Sequence, residues 1–328
     1  MERIGHILSF DALRGLMIIF IVLIHTEHPD TPLFSICVPA LFLISGTFYK
    51  DYPWAVFWRK KTQRLLIPFV FFYLTYYAFL LLLNFTKYHS IPISILYSFT
   101  DVFHAYAYND GYTVNYPLWF IIALLVQYFF LYALHRITKR PLVILSVAFI
   151  LSVFGHFYLW TIPTYLMLGR ALKYFIFFAV GSVFGLKTNS LSSKQKNQLA
   201  LLGAVILITC LFLQRTHFGP RFVHYLSDVL FTISTVYLVW WLFDKSSSFD
   251  ILRPLLFFGQ NSLIVLGLHD MILTIIRIGT ENITGGMSMT LGLLNWLLCL
   301  LILWPIILFL NKSAPKLVGV SRGVQYQG

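Results

Sequence analysis

Long apolar runs recur from one end of this chain to the other, and they constrain its fold more than any other feature. Hydrophobic residues make up 59% of the 328 residues and charged residues only 11%, too few to cover a soluble domain of this size. Each run has about 17 to 25 residues, the length of helix that crosses a bilayer core of ~30 Å. The sequence therefore predicts an all-α fold: one polytopic integral membrane helical bundle over residues 1–328.

The apolar runs and their charged flanks define about ten predicted transmembrane helices and a topology. With a cytoplasmic N-terminus, one side of the membrane collects most Lys and Arg residues, and the other holds only Lys87, Arg215, Arg221 and Arg277. The positive-inside rule produces this asymmetry, so both termini are predicted to be cytoplasmic. The net charge of +12 then reports topology, and no nucleic acid partner is expected. The predicted spans are about 7–26, 33–49, 65–84, 117–134, 141–160, 164–186, 198–214, 223–243, 255–279 and 289–310.

Two connections between the spans differ from the short turns elsewhere. The stretch 187–197 is polar and basic, and is predicted to be a cytoplasmic linker. The stretch 85–116 is predicted to be extracytoplasmic and is rich in aromatic residues beside amide and carboxylate groups, which suit sugar rings. An aromatic belt at the membrane interface is the alternative. The candidate acceptor-binding residues of this region are Tyr106, Tyr108, Asp110 and Trp119.

The first span carries a cation and a base on one face. Arg14 and His25 are eleven residues apart, which on a helix is three turns plus about 20° and a rise of roughly 16 Å. Asp11 precedes Arg14 by three positions, so an ion pair that merely holds Arg14 in place is one interpretation of Asp11. A neutral imidazole can take a proton from an attacking hydroxyl, which makes His25 the candidate catalytic base.

Other polar residues near or inside the spans add weaker candidates. Lys61 and Arg64 are three apart before the third span, and they suit phosphate oxygens or, as the alternative, anionic lipid. Asn261 and His269 lie in the ninth span, and His269 has a predicted depth like that of His25. Ser45 lies beside Gly46 in the second span, where helix packing is the favoured interpretation. Cys37, Cys210 and Cys299 show no paired spacing, so no metal site or disulfide is predicted.

Together these motifs resemble the type-3 membrane acyltransferase family, bacterial integral-membrane O-acetyltransferases of surface glycans. The resemblance covers nearly the whole chain and rests on SFDALRG with ten residues between Arg14 and His25, LFLISGTFY, a basic pair before RLLIPFV, LWFIIALL and NSLIVLGLH. This chain has Lys61 where the family pattern has arginine, and lysine lacks the bidentate fork. It is similar to a stand-alone form without a C-terminal hydrolase-like domain.

The resemblance implies a multi-pass protein of the cell inner (cytoplasmic) membrane that transfers an acetyl or other acyl group. Acetyl-CoA would be the co-substrate, no permanently bound cofactor is expected, and the acceptor would be a glycan or lipid-linked sugar. Arg14, Lys61 and Arg64 would bind CoA, His25 would act in transfer, and Asp11, Ser45, Asn261 and His269 would support them. The alternatives are a transporter or lipid-linked sugar flippase that uses the buried His and Arg residues as a pathway, and a non-enzymatic scaffold.

Overall fold

The computed structural model describes residues 2–26, 33–89, 115–159, 165–216, 219–246, 252–284 and 289–319. Within these ranges the regular elements are helices, and no strand occurs. The predicted all-α fold is confirmed. The α-helices in these ranges are α1 (Glu2–Ile24), α2 (Leu33–Thr47), α3 (Trp54–Lys61), α4 (Ile67–Tyr88), α5 (Trp119–Ile137), α6 (Pro141–Phe154), α7 (Leu168–Lys173), α8 (Phe175–Phe184), α9 (Ser193–Thr216), α10 (Arg221–Lys245), α11 (Arg253–Gln260), α12 (Ser262–Thr284) and α13 (Met289–Ser313).

Eight segments of the described residues are long and apolar enough to cross a membrane. Each of the ten predicted spans coincides with a helix, but two are not full-length spans. The second, α2, has 15 residues, and at 1.5 Å per residue it falls short of a bilayer core. The sixth is broken into Tyr165–Lys173 and Phe175–Phe184, a pair that counts as a span only when joined.

Three more boundaries differ from the sequence prediction. The basic turn that precedes the predicted third span is helical and continuous with that span. Both belong to one segment, Trp54–Thr86, that is long and apolar enough to cross a membrane. The ninth span is interrupted at Asn261, where α11 ends and α12 begins. The predicted linker 187–197 is helical from Ser193 onward. Ser192 starts α9 with a capping box, in which its hydroxyl accepts the Gln195 N–H and the Gln195 Oε1 accepts the Ser192 N–H.

The chain divides into two compact units. Unit 1 contains α1, α2, nearly all of α8, and α9 to α11. Unit 2 contains the turn at His25, α3 to α7, and α13 with nearly all of α12.

Glycine contacts between helices hold unit 1 together. A Cβ on Gly15 of α1 would lie 1.8 Å from the Leu255 carbonyl oxygen of α11, and one on Gly259 would lie 1.8 Å from the Asp11 carbonyl oxygen. Gly46 of α2 and Gly181 of α8 make the same kind of contact. Small residues permit this backbone approach, which favours van der Waals packing between membrane helices.

Side-chain hydrogen bonds between helices are the corresponding feature of unit 2. The Tyr76 hydroxyl of α4 donates to Asp270 Oδ2 of α12 at 2.9 Å. Gln127 of α5 donates from Nε2 to the Ala171 carbonyl of α7 at 2.8 Å, and its side chain is fully buried. Because apolar surroundings offer no competing water, such polar contacts specify how the helices pair.

Candidate active site

Two side chains of unit 1, Asp11 and Phe48, contact the guanidinium group of Arg14. Its Nη1 lies 3.1 Å from Asp11 Oδ1, so the ion pair permitted by the sequence spacing is present. Its guanidinium carbon also lies 5.0 Å from the centre of the Phe48 ring, a cation–π contact. The Arg14 side chain keeps 22% of its surface exposed, so the cation is positioned but still accessible to a ligand.

Two other predicted residues of unit 1 have packing roles. Asn261 is buried in the break between α11 and α12, and its Nδ2 donates to the Phe257 carbonyl at 2.8 Å. The backbone N–H of Asn261 donates to the same carbonyl at 3.2 Å, so both groups of Asn261 cap the end of α11. Ser45 is half-buried on α2 beside Gly46, whose backbone contacts Phe178. Both observations agree with a structural contribution to unit 1.

His25 is the first residue after α1 rather than a residue within it. The helix ends at Ile24, so the predicted common helix face with Arg14 stops one residue short of the imidazole. Arg277 of α12 donates from Nη2 to the His25 carbonyl at 3.1 Å. A cation on a carbonyl that follows a helix end is favourable, and this contact fixes the turn that carries the imidazole.

His269 of α12 is the nearest described ring partner of His25. The two ring centroids are 4.9 Å apart with an interplanar angle of 76°. His269 is fully buried, and its Nδ1 lies 2.8 Å from the Val265 carbonyl oxygen. A carbonyl oxygen only accepts, so Nδ1 carries the proton and Nε2 of the neutral ring has a lone pair. That buried Nε2 has no hydrogen-bond partner among the described residues.

The segment that leads into α5 forms another wall of the site. The Tyr116 ring centroid lies 6.3 Å from that of His25. Asn115 is buried in a left-handed conformation, with φ of 59°, and its Nδ2 donates to the Gly267 carbonyl at 2.8 Å. Since Gly267 is two residues before His269, this bond ties the start of α5 to the part of α12 that carries the second histidine.

Arg170 of α7 also lies near Tyr116. Its guanidinium carbon is 5.8 Å from the Tyr116 ring centre and 4.7 Å from that of Trp119, and Arg170 itself is buried. Arginine stacks well on aromatic faces because its charge is delocalised. The predicted acceptor residue Trp119 is therefore buried in the wall of the site.

Lys61 and Arg64, the predicted phosphate ligands, have different surroundings within unit 2. The Lys61 Nζ lies 3.1 Å from the centre of the Tyr128 ring, a close cation–π contact. Arg64 is exposed and lies in a π-helical turn, Thr62–Leu66, between α3 and α4. Such turns are frequent at functional sites. Arg64 is thus free of the packing that anchors Lys61.

The structure brings together two of the candidate residues. His25 and His269 lie side by side, although only a similar depth was predicted for them, whereas Tyr106, Tyr108 and Asp110 lie outside the described residues. Sequence reasoning missed Asn115, Tyr76 and the contact of Arg277 with His25. Arg277 could have been selected from the sequence, because it is a cation inside an apolar helix. Tyr76 and Asn115 are in no sequence pattern that indicates a site. The described residues contain no group of three His, Cys, Asp or Glu that could hold a metal ion.

The fold and this site together define a multi-pass α-helical membrane protein in which the half-buried His25 lies beside the buried His269. The acyltransferase domain model of the acyltransferase 3 family matches residues 7–311, so the chain belongs to that family and is a membrane acyltransferase. No curated protein and no solved structure matches the chain significantly. Family membership favours the acyltransferase over the transporter, flippase and scaffold interpretations.

Proposed function

We propose that the protein is an O-acetyltransferase. It takes an acetyl group from acetyl-CoA in the cytoplasm and transfers it to a hydroxyl of an extracytoplasmic or lipid-linked glycan, as in polysaccharide modification of the cell envelope. His25 is the general base. The observation that carries this proposal is the position of the His25 ring, 4.9 Å from His269 and 6.3 Å from Tyr116 in the interior of unit 2.

The chemistry follows from a neutral imidazole near two substrates. A sugar hydroxyl attacks the thioester carbonyl carbon while His25 takes its proton, and a carbon–oxygen bond forms. The tetrahedral intermediate then collapses, the carbon–sulfur bond breaks, and the proton passes from His25 to the CoA sulfur. The products are an acetyl ester and CoA thiol. Alignment of the two reactants lowers the barrier further, because the attack becomes effectively unimolecular.

The donor is bound through its phosphates by cations. Arg14 keeps an exposed guanidinium edge, and Arg64 is exposed in a turn beside Lys61. Arginine binds phosphate in a bidentate manner, whereas a lysine anchored on an aromatic ring acts as a point charge. Arg14 and Arg64 therefore contribute more to CoA affinity than Lys61.

The acceptor is bound by aromatic faces. Tyr116 and Trp119 are aromatic residues in the wall of the site, and Tyr106, Tyr108 and Asp110 precede them in the sequence. Aromatic rings stack on the C–H faces of a sugar, while carboxylate and amide groups accept its hydroxyl protons.

Label transfer from acetyl-CoA tests the proposal. Membrane vesicles that contain the protein are incubated with acetyl-CoA labelled in its acetyl group, and the washed lipid and polysaccharide fractions are treated with alkaline hydroxylamine, which cleaves oxygen esters. We expect hydroxylamine-labile label with the wild type and none with His25→Ala. Label in an amide, which resists hydroxylamine, or equal transfer by both proteins would overturn the proposal.

A further inference from the structure

The Nε2 atom of His269 has no hydrogen-bond partner among the described residues, and the mechanism above does not use it. It is buried, and an acceptor without a donor costs about 1–3 kcal/mol in such surroundings. The His269 ring cannot rotate to bring Nε2 to another partner, because this would break the bond from Nδ1 to the Val265 carbonyl. A buried acceptor in a fixed orientation is a place where a donor is expected to bind.

The donor within reach is the imidazole of His25. Two imidazoles joined by an N–H···N hydrogen bond of about 3 Å have centroids about 5 Å apart. The observed separation is 4.9 Å, and the angle of 76° between the rings permits the bond, because rotation about its axis leaves it intact. Hydrogen bonds of catalytic groups often become short only when substrate is bound.

We infer that His269 is a positioning residue for His25: its Nε2 accepts a ring N–H of His25 and fixes the tautomer in which the other His25 nitrogen faces the substrate hydroxyl. When His25 takes the hydroxyl proton, the same bond stabilises the imidazolium. The proton never moves to His269, because the Val265 carbonyl keeps Nδ1 protonated and a second proton would place a charge in a fully buried ring. This inference rests on the proposed function.

Hydrogen bonds from neighbouring helices fix the backbone on which His25 and His269 are carried. Arg277 holds the His25 carbonyl, and Asn115 holds the Gly267 carbonyl on the turn of α12 before His269. A Cβ on Gly267 would meet the Phe72 ring at 2.3 Å, so α4 closes against α12 at this level. A rigid surround of this kind lets one hydrogen bond select a tautomer.

Two substitutions at His269 test the contributions of its two nitrogens separately. In His269→Asn, the short amide retains a donor for the Val265 carbonyl but leaves nothing at the position of Nε2. In His269→Gln, the longer amide brings an acceptor to that position. We expect the kcat for CoA release from acetyl-CoA to fall about 10- to 100-fold in His269→Asn, with the KM for acetyl-CoA unchanged, and to recover largely in His269→Gln.

A double mutant tests whether His269 acts through His25. In the His25→Ala background, His269→Asn should cause no further loss, since the group it positions is absent. A further loss there would show that His269 is itself a base, and this would overturn the inference. An unchanged kcat in His269→Asn would overturn it as well.

A spectroscopic measurement makes the inference independent of turnover. Nitrogen NMR of histidine-labelled protein in nanodiscs should show a hydrogen-bonded, unprotonated Nε2 of His269 that changes in His25→Ala. If the wild type releases no CoA from acetyl-CoA, the proposed function fails, whereas an unchanged nitrogen signal would contradict the histidine pair alone.

Discussion

Units 1 and 2 use different contacts between helices around their candidate site residues, although polar side chains such as Lys196 and Asp244 also join helices elsewhere in unit 1. In unit 1, α1 and α11 meet backbone to backbone at Gly15 and Gly259, and the cation of Arg14 has its counter-ion on the same helix. In unit 2, polar side chains join different helices, as Tyr76 does with Asp270, and one buried nitrogen of His269 is left open. The bonded groups named here maintain structure, whereas the open nitrogen of His269 lies where chemistry is proposed.

The largest expected effect breaks the backbone contact of unit 1. A valine at Gly15 places a Cβ 1.8 Å from the Leu255 carbonyl oxygen, and neither helix can move away without losing its neighbours. We expect Gly15→Val to destabilise the protein by about 3 kcal/mol or more, which is at the upper end for overpacking. The yield of monodisperse protein and its Tm in detergent measure this effect.

Gly279 supplies the matched control for that experiment. It lies in α12 of unit 2, and a Cβ there meets no atom within 4 Å. Gly279→Ala should leave the Tm unchanged or raise it slightly, because alanine favours the helix. A Gly15→Ala protein as stable as Gly279→Ala would contradict the account of unit 1.

The next effect tests the polar contacts of unit 2. Tyr76→Phe removes the hydroxyl that donates to Asp270 and leaves the carboxylate without that bond. We expect a loss of about 1–3 kcal/mol in the free energy of unfolding. Tyr158→Phe, at an exposed position of unit 2, is the comparison variant, and an equal loss in both would show that the Asp270 bond is unimportant.

A smaller effect concerns the exposed cation of unit 2. Arg64→Ala should weaken acetyl-CoA binding about tenfold, the equivalent of ~1.4 kcal/mol for a lost charge-assisted contact to phosphate. Gln63→Ala changes the adjacent exposed residue and should leave the affinity unaltered. Isothermal titration in nanodiscs gives both Kd values, and equal affinities would remove Arg64 from the CoA site.

The smallest effect depends on pH at the edge of unit 2. The hydrogen bond from Lys139, with further help from Arg136, lowers the pKa of the Asp51 carboxyl below its usual value. The stabilisation is therefore present at neutral pH and is lost as the pH falls below about 4. Because Asp51 is partly exposed, Asp51→Asn should cost at most ~1 kcal/mol at pH 7. A Tm difference that does not shrink as the pH falls from 7 to 3 would contradict this.

Sequence reasoning located the helices well because their signal is local. Apolar length marks each of the ten predicted spans, and the spacing of Asp11 and Arg14 was enough to indicate their ion pair. The break at Asn261 was missed because the run is apolar on both sides. The polar stretch Gly259–Ser262, whose residue types favour helix ends, was the local signal that could have located it.

The site was predictable only in part. His25 and His269 are 244 residues apart in the sequence, and a similar depth in the membrane was the sole indication that they meet. The bond from Arg277 to the His25 carbonyl uses the backbone, so no pairing of residue types indicates it. Pairings that involve the main chain become visible only in three dimensions.

The most direct test of the central claim is acetyl-CoA binding and CoA release by purified protein in nanodiscs, with the wild type beside Arg14→Ala and His25→Ala. We expect saturable binding by the wild type and weaker binding by Arg14→Ala. His25→Ala should bind acetyl-CoA normally but release CoA about 10²- to 10⁴-fold more slowly. Absence of acetyl-CoA binding by the wild type, or equal loss of binding in both variants, would contradict it.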